Sequence, residues 1–461
     1  MKKNSRLIAL LLAFVIILPA CSSIGGGEDV TKTDTTASET TANVIPGTTE
    51  EPSISVVVTP DTDPETSLET TVEETTSPYP PHDGETIRIL IQNGKSEAFT
   101  SEFAEGDLAS YLGAREAALL ADHNTLIKMS VSADIVDRVK NGVLAADNAF
   151  DFLLLNSTAG AELLTYGALE DLSEVGIDIT TKTAGVRESL TESMSVGGGV
   201  YLVACEALIS DLPALRAIEY NGAPLSSDPE KTAVDGDFTV ELLLNYISEL
   251  QTDAFAVEQS SIMTLFSAIG GEIFVKNASG MPLSALAEDA NFALKYESAM
   301  QLVRNDSQTN RTAAFTVAGI SPAREGITLL PLPKANENAE YITLVDDSNI
   351  TFLAAQIGVV DGQRLAKLFN CLCVASGDLR TAERAKYVDE GNQYSEQIFS
   401  ILENTAKLDL GVLFGWGDLD EYIADSMASG RTSSDVLGDR IVSMRNKTVE
   451  TAARILAERL K

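Results

Sequence analysis

A long segment near the start of the chain limits where a folded core can form. Residues 22–83 contain fifteen threonines and thirteen acidic residues against a single basic residue, Lys32. Such a segment cannot bury enough apolar surface to offset the entropy lost on ordering, and its like charges extend it. We therefore expect residues 21–83 to form a disordered linker and residues 84–461 to hold the folded part.

Two features of this linker leave alternatives open. Residues 54–58 read ISVVV, which is either a solvated apolar patch or a strand that docks elsewhere. The threonine and serine content is also typical of an O-glycosylated stalk. As a flexible chain the segment would reach roughly 40–50 Å, which suits lifting a domain off a membrane.

The residues before the linker predict export and a lipid anchor. Residues 1–6 are basic, and 7–18 form an apolar run of twelve, shorter than the ~20 residues that span a bilayer. This pattern matches the apolar region of a secretory signal. Leu18-Pro19-Ala20-Cys21 resembles the lipobox of bacterial lipoproteins. That resemblance implies a signal peptide over 1–20 and a diacylated Cys21 on the outer face of the cell membrane. The alternatives are an uncleaved anchor helix or an ordinary signal peptide with a chance cysteine.

The charge balance disfavours several function classes. The chain carries 68 acidic against 33 basic residues, a net charge of −35, of which about −26 falls in 84–461. Nucleic-acid binding needs clustered Lys and Arg, so we expect no nucleic-acid partner. The same acidity counts mildly against anionic solutes. His82 and His123 are the two histidines, which is too few for a usual zinc site, and we expect neither a metal nor a cofactor.

The folded part alternates between strand-like and helix-like patterns. We expect Asp237 or Thr239 to cap the helix predicted over 240–250. Strand-like runs occupy 86–91, 150–155, 200–205, 327–330, 341–345 and 350–354, and helix-like runs occupy 108–124, 135–144, 159–166, 240–250, 362–375, 396–402 and 435–460. This alternation is typical of α/β proteins with a parallel sheet. Because 84–461 is too long for one core, we predict two α/β lobes.

Several short segments, in this order, resemble a known family. They are Ala149–Phe152 with Leu164–Leu172, Gly198–Tyr201, Gly326–Lys334, Tyr341–Phe352 and Leu408–Gly417. The chain resembles the extracellular solute-binding proteins of ABC importers, in the family that includes carbohydrate binders, and its lipid-anchored branch common in Firmicutes.

The resemblance implies a two-lobed periplasmic-binding-protein-like (type II) fold that closes around a small solute. Lobe 1 would span about 84–204 and 347–400, lobe 2 about 206–343, and C-terminal helices 401–461. The crossings would lie near 204–206 and 343–349. The implied partners are a membrane permease of an ABC transporter and a small polar solute, a saccharide being one candidate.

Other features favour different conclusions. Sugar binders usually stack the ring on aromatic side chains, yet Trp416 is the sole tryptophan, and the segment after Tyr201 lacks the family's usual pattern. An alternative is therefore a binding-protein fold that lost its cleft and serves as a surface sensor or interaction protein. The sequence holds no G-x-S-x-G, H-E-x-x-H, P-loop or G-x-G-x-x-G motif, so we do not expect an enzyme. An extracellular hydrolase would need two converging carboxylates in a deep pocket.

Candidate ligand-binding residues follow from where the strands end. Ligands of open α/β sheets lie beyond the carboxyl ends of strands. The candidates are Asn93 after the first strand, Asn156 and Ser157 after the second, Glu206 at the first crossing, Asp346 and Asn349 at the second crossing, and Trp416 as a stacking platform. Asn and Ser are also ordinary turn residues, and Trp416 could instead pack against the C-terminal helix. Cys205, Cys371 and Cys373 remain after lipidation of Cys21, and we expect small buried hydrophobes rather than disulfides.

Overall fold

Two four-stranded sheets organise the part of the chain that a computed structural model describes. The described residues are 84–93, 99–177, 185–250, 254–258, 261–306, 313–346 and 350–460. The predictions on Cys21, Asn349, the signal peptide and the whole linker lie outside these ranges.

The strands and helices have the following bounds. The strands are β1 (Thr86–Gln92), β2 (Leu126–Ser132), β3 (Phe152–Asn156), β4 (Arg216–Tyr220), β5 (Phe255–Val257), β6 (Phe274–Lys276), β7 (Pro282–Ser284), β8 (Phe315–Gly319), β9 (Thr328–Leu330), β10 (Thr343–Leu344), β11 (Thr351–Ala354) and β12 (Ala406–Lys407). The helices are α1 (Gly106–His123), α2 (Ile135–Ala145), α3 (Ser157–Tyr166), α4 (Glu188–Ser193), α5 (Pro229–Asp235), α6 (Val240–Leu250), α7 (Ile262–Ala268), α8 (Ala285–Glu288), α9 (Phe292–Val303), α10 (Gly362–Val374), α11 (Gly377–Arg384), α12 (Ser395–Asn404), α13 (Leu410–Phe414), α14 (Leu419–Ala428), α15 (Ser433–Leu437) and α16 (Arg440–Arg459).

The first sheet has the strand order β11-β3-β1-β2. β1 is parallel to β2 and β3, while β11 is antiparallel to β3. Both faces of β3 are buried, because Leu153 and Leu155 join one apolar cluster and Phe152 and Leu154 join another. Strands buried on both faces read as continuous apolar runs, which is why the sequence predicted β1 and β3 correctly.

The second sheet has the order β5-β8-β4-β9. β4 is antiparallel to β8 and β9, and β5 is parallel to β8. Two shorter ladders join β10 with β12 and β6 with β7. The apolar cluster that covers Leu153 and Phe352 of the first sheet continues to Ile218 and Phe315 of the second. A continuous core therefore connects the two sheets.

Local capping explains several helix boundaries that the sequence predicted. The Thr239 hydroxyl accepts a hydrogen bond from Leu242 N at 3.3 Å, and α6 spans the predicted 240–250. The Asn156 side chain accepts from Ala159 N at 2.9 Å and caps α3. Gly167 closes α3 with φ of +77°, a backbone conformation that glycine adopts without steric cost.

Two predicted elements were wrong. Residues 200–205 form no regular strand, and their pairing is limited to isolated bridges such as Val203 with Leu353. These residues are apolar because they are buried in the core, and not because they pair along a sheet. The single helix predicted over 435–460 is divided at Gly438, after which the Asp439 carboxylate accepts from Ile441 N at 3.1 Å and starts α16. A new N-cap inside an apolar pattern ends one helix and begins another.

Candidate functional site

The carboxyl ends of both sheets lie where the segments that join the sheets begin and end. β1, β2 and β3 are parallel, so their carboxyl ends share one edge of the first sheet. In the second sheet β5, β8 and β9 run in the same direction, and their carboxyl ends share the edge where β4 begins. Two joining segments run between these edges, one over 210–216 and one whose described residues are Asp346, Ile350 and Thr351. They pair with each other where Asp346 N donates to Ala214 O at 2.7 Å. Open α/β sheets bind ligands at such edges.

The first sheet contributes amide and hydroxyl groups to this region. Asn156 ends β3 and is paired in register with Thr351 of β11. The hydroxyl groups of Thr351 and Ser210 are 2.7 Å apart, and Thr351 N also donates to Ser210 Oγ at 3.0 Å. Ser157 is buried at the first position of α3. The edge therefore presents a short polar strip that continues into the first joining segment.

The second sheet contributes charged groups. Arg216 begins β4, and its side chain is 11% exposed. Its guanidinium donates to Asp346, and Nη1 lies 3.4 Å from Ser261 Oγ and 3.7 Å from Glu258 Oε2. We call Asn156, Ser210, Thr351, Arg216, Asp346, Glu258 and Ser261 the carboxyl-edge site. Arg216 is a planar donor suited to carboxylate or hydroxyl oxygens.

Sequence reasoning selected only part of this site. Asn156 and Asp346 lie on the two facing edges, and Asn93 lies beyond β1 on the first edge, where its N–H donates to Ser132 O at 3.0 Å. Arg216 was not predicted, because the short run 216–220 lacks the continuous apolar pattern used to find strands. The signal that could have identified Arg216 is a single arginine at the start of a short, partly apolar segment in a strongly acidic chain.

Glu206 lies in a different charged cluster. Its carboxylate is 3.6 Å from Arg187 Nη1 and 4.0 Å from Arg380 Nε. Arg380 also donates to both carboxylate oxygens of Asp211, at 2.9 and 2.8 Å, and to Glu403 at 2.8 Å. Arg380, Asp211 and Glu403 are nearly buried. The cluster links the first joining segment to α11 and α12, and a ligand-binding role for Glu206 stays a prediction.

Trp416 packs against other aromatic side chains. Its ring is 4.3 Å from that of Phe414 and 5.9 Å from that of Phe274. The indole is partly exposed and lies in the turn between α13 and α14. Its contacts match the packing alternative, and a stacking role toward a ligand stays a prediction.

The remaining sulfur and metal predictions concern the interior. Cys205, Cys371 and Cys373 are free and buried, and burial raises the pKa of the Cys371 thiol. Among the described residues no group of three or more His, Cys, Asp or Glu side chains is arranged to hold a metal ion. Within the same ranges no helix is both long and apolar enough to cross a bilayer.

A separate concavity lies against the short β10–β12 ladder. It encloses about 350 Å³ and is lined by Ser189, Glu192, Ser193, Ser267, Gly271, Glu272, Phe274, Lys276, Ile342, Leu344, Lys407, Leu408, Asp409 and Leu410. We call it the ladder cavity. It shares no residue with the carboxyl-edge site.

Asp409, which borders this cavity, makes the stability of the folded state depend on pH. Its carboxylate accepts from Ile273 N at 2.7 Å and Gly411 N at 2.6 Å, and burial raises its pKa to about 7. The unfolded chain would release this proton near pH 4. Between about pH 4 and pH 7 the folded state therefore holds a proton that the unfolded state has lost, and stability falls as pH rises.

We expect Asp409→Asn to remove this contribution. Urea unfolding of both proteins at several pH values should show the free energy of unfolding of the wild type, relative to the variant, decreasing as the pH rises from 4 to 7. A difference that stays constant over this range would contradict the assignment.

Comparison with known proteins gives a fold-level result. No family model and no curated protein matches the sequence. Among solved structures, the sugar-binding protein MalE from Xanthomonas citri is 13% identical with a TM-score of 0.50, over 81% of this chain and 98% of that one. The cyclic α-maltosyl-1,6-maltose binding protein from Arthrobacter globiformis is 11% identical with a TM-score of 0.50, over 80% and 98%. The chain thus has the mixed α/β fold of periplasmic solute-binding proteins, which confirms the predicted fold class.

Proposed function

We propose that this protein is the solute-binding component of an ABC importer and delivers a small polar solute to a membrane permease from the extracellular face. The observation that carries the proposal is that both carboxyl edges carry polar side chains at the segments that join the sheets. The fold adds support, since proteins that share it bind solutes. The similar proteins are binding proteins rather than enzymes, which fits a role without catalysis.

The composition of the carboxyl-edge site favours a neutral, hydroxylated solute. Arg216 supplies donors, Asp346 and Glu258 supply acceptors, and the hydroxyl groups of Ser210 and Thr351 can do both. Sugars and polyols present this mixture of donors and acceptors. Both similar structures are named for sugar binding, so a saccharide is the first class to test, although aromatic platforms are few in this chain.

Deletion of the gene tests the transport role. Uptake of a panel of labelled sugars and polyols is measured. We expect the deletion to abolish uptake of at least one of them, and the wild-type gene to restore it. A strain complemented with the Arg216→Met variant should accumulate the protein but not the solute. Unchanged uptake of every sugar and polyol in the deletion strain would contradict transport.

The lipid anchor is a second part of the proposal. We expect Cys21→Ser to prevent acylation and to move the protein from the membrane fraction into the medium. Two acyl chains are what hold such a protein on a bilayer, at about 0.8 kcal/mol per buried CH₂. Fractionation followed by immunoblotting measures this, and Ser22→Ala is the matched control. Retention of the Cys21→Ser protein in the membrane fraction would overturn the assignment of Cys21.

One observation favours the alternative of a surface sensor. Arg216 already pairs with Asp346 in the carboxyl-edge site, so charges there satisfy each other without a solute. A deletion strain with normal uptake, together with a protein that binds no solute at this site, would favour the sensor over the importer.

A further inference from the structure

The ladder cavity has the size of a small-molecule site and two separate walls. Its volume of about 350 Å³ falls within the ~300–1,000 Å³ usual for ligand pockets. One wall comes from α4, through Ser189, Glu192 and Ser193, and the other from the segment 271–276. β10 and β12 form the floor. The cavity is thus enclosed by elements that are distant in sequence.

Lys276 fastens the two walls together. Its Nζ donates to Glu192 O at 2.8 Å and to Ser195 Oγ at 2.9 Å. Burial lowers the pKa of this ammonium. Two of its three N–H donors are engaged within the protein, so Lys276 is part of the wall of the cavity.

Lys407, Glu272 and Glu192 leave charges of both signs available at the cavity. Among the described residues, neither Lys407 Nζ nor the Glu272 carboxylate has a hydrogen-bond or ion-pair partner. Partial desolvation raises the pKa of Glu272, and the positive charges of Lys295 and Lys407 oppose this shift. A ligand that carries both a carboxylate and an ammonium group would complement both charges.

Part of the lining is apolar, and serines and charged residues make up the rest. Four buried apolar side chains border the cavity, those of Phe274, Leu344, Leu408 and Leu410. The ring centroids of Trp416 and Phe274 are 5.9 Å apart. The acidic side chains of Glu272 and Glu192 disfavour a phosphate or another anion as the ligand. A neutral sugar is disfavoured as well, because it would neutralise none of the charges.

We propose that the ladder cavity binds a small zwitterion with an apolar side chain, of the class of free α-amino acids. Its carboxylate meets Lys407, its ammonium meets Glu272, and its side chain contacts the apolar lining near Phe274. This site is separate from the carboxyl-edge site and does not depend on the proposed transport function.

Three probes with the same side chain test the assignment on the full-length protein. L-leucine carries both charges, L-leucinamide lacks the carboxylate, and N-acetyl-L-leucine lacks the ammonium. By isothermal titration calorimetry we expect L-leucine to bind, and each charge-deficient probe to bind about tenfold to a hundredfold more weakly, as for loss of a charge-assisted hydrogen bond.

Matched variants assign each charge to its residue. Lys407→Met should weaken L-leucine by a similar factor but leave L-leucinamide unaffected, and Glu272→Gln should weaken L-leucine but leave N-acetyl-L-leucine unaffected. Lys447→Met, at an exposed lysine of α16, should change nothing. The proposal is overturned if L-leucine produces no binding heat at millimolar concentrations, or if both cavity variants bind it with the affinity of the wild type.

Discussion

Replacing Arg380 by methionine is expected to lower the free energy of unfolding by about 3–5 kcal/mol, the cost of breaking a buried ion pair from one side. Arg380 donates to both oxygens of Asp211 and to Glu403, and all three side chains are less than 10% exposed. Methionine keeps much of the buried stem but leaves two carboxylates with one fewer cation. Urea denaturation followed by circular dichroism measures the loss.

A second arginine provides the control for this experiment. Arg454 lies 3.5 Å from Glu458 on α16, with both side chains more than 60% exposed. Exposed pairs of this kind contribute about 0–1 kcal/mol, so Arg454→Met should be close to neutral. If both variants lose the same stability, the Arg380 cluster does not hold α11 and α12 to the first joining segment.

The pH dependence of the Arg380 variant has a defined sign. Burial raises the pKa of a carboxyl such as Asp211, but the charge and hydrogen bonds of Arg380 outweigh burial and lower that pKa. A carboxylate whose pKa is lowered by folding stabilises the native state above the unfolded pKa and loses this contribution in acid. The difference between wild type and variant should therefore shrink below about pH 4.

Arg216→Met is expected to weaken solute binding at the carboxyl-edge site by about 30-fold or more. Truncating one member of a buried, hydrogen-bonded charge pair costs about 2–5 kcal/mol in binding, and 1.4 kcal/mol is tenfold. The variant loses the guanidinium donors and leaves Asp346 and Glu258 without this cation. Affinity should be measured by calorimetry well below the melting temperature, so that lost stability is not mistaken for lost binding.

Two further variants separate charge from geometry. Arg216→Lys keeps the charge but not the planar donor array, and should retain part of the affinity. Arg324 pairs with Glu219 on the same sheet at 2.7 Å and is 54% exposed, so Arg324→Met should bind normally. Equal affinities in wild type and Arg216→Met would remove Arg216 from the site.

The sequence predicted the buried elements better than the exposed ones. β1 and β3 were found because continuous apolar runs are typical of strands covered on both faces. β2 was missed because it is an edge strand with exposed positions such as Leu126 and Val131, so its pattern is weak. β4 and β8 were missed because they are short and mix polar residues such as Glu219 with apolar ones.

Sites built from distant segments were the least predictable. The strand-end rule selected Asn156, since it needs only the end of one element, and Asp346 was selected for its place beside the implied second crossing. Arg216 meets Asp346 across 130 positions of sequence, and Lys407 shares a cavity with Glu272 across a similar span. Residue type alone carries no signal for such pairings. The lobe boundaries stay predictions.

The most direct measurement of the central claim is a thermal-shift series of the purified protein with sugars and polyols, run in parallel on Arg216→Met. A solute at 100 times its Kd stabilises the folded state by about 2.7 kcal/mol. We expect at least one of these solutes to raise the melting temperature of the wild type and to raise that of the variant much less. No shift with any solute, or shifts of equal size in both proteins, would contradict solute binding at the carboxyl-edge site.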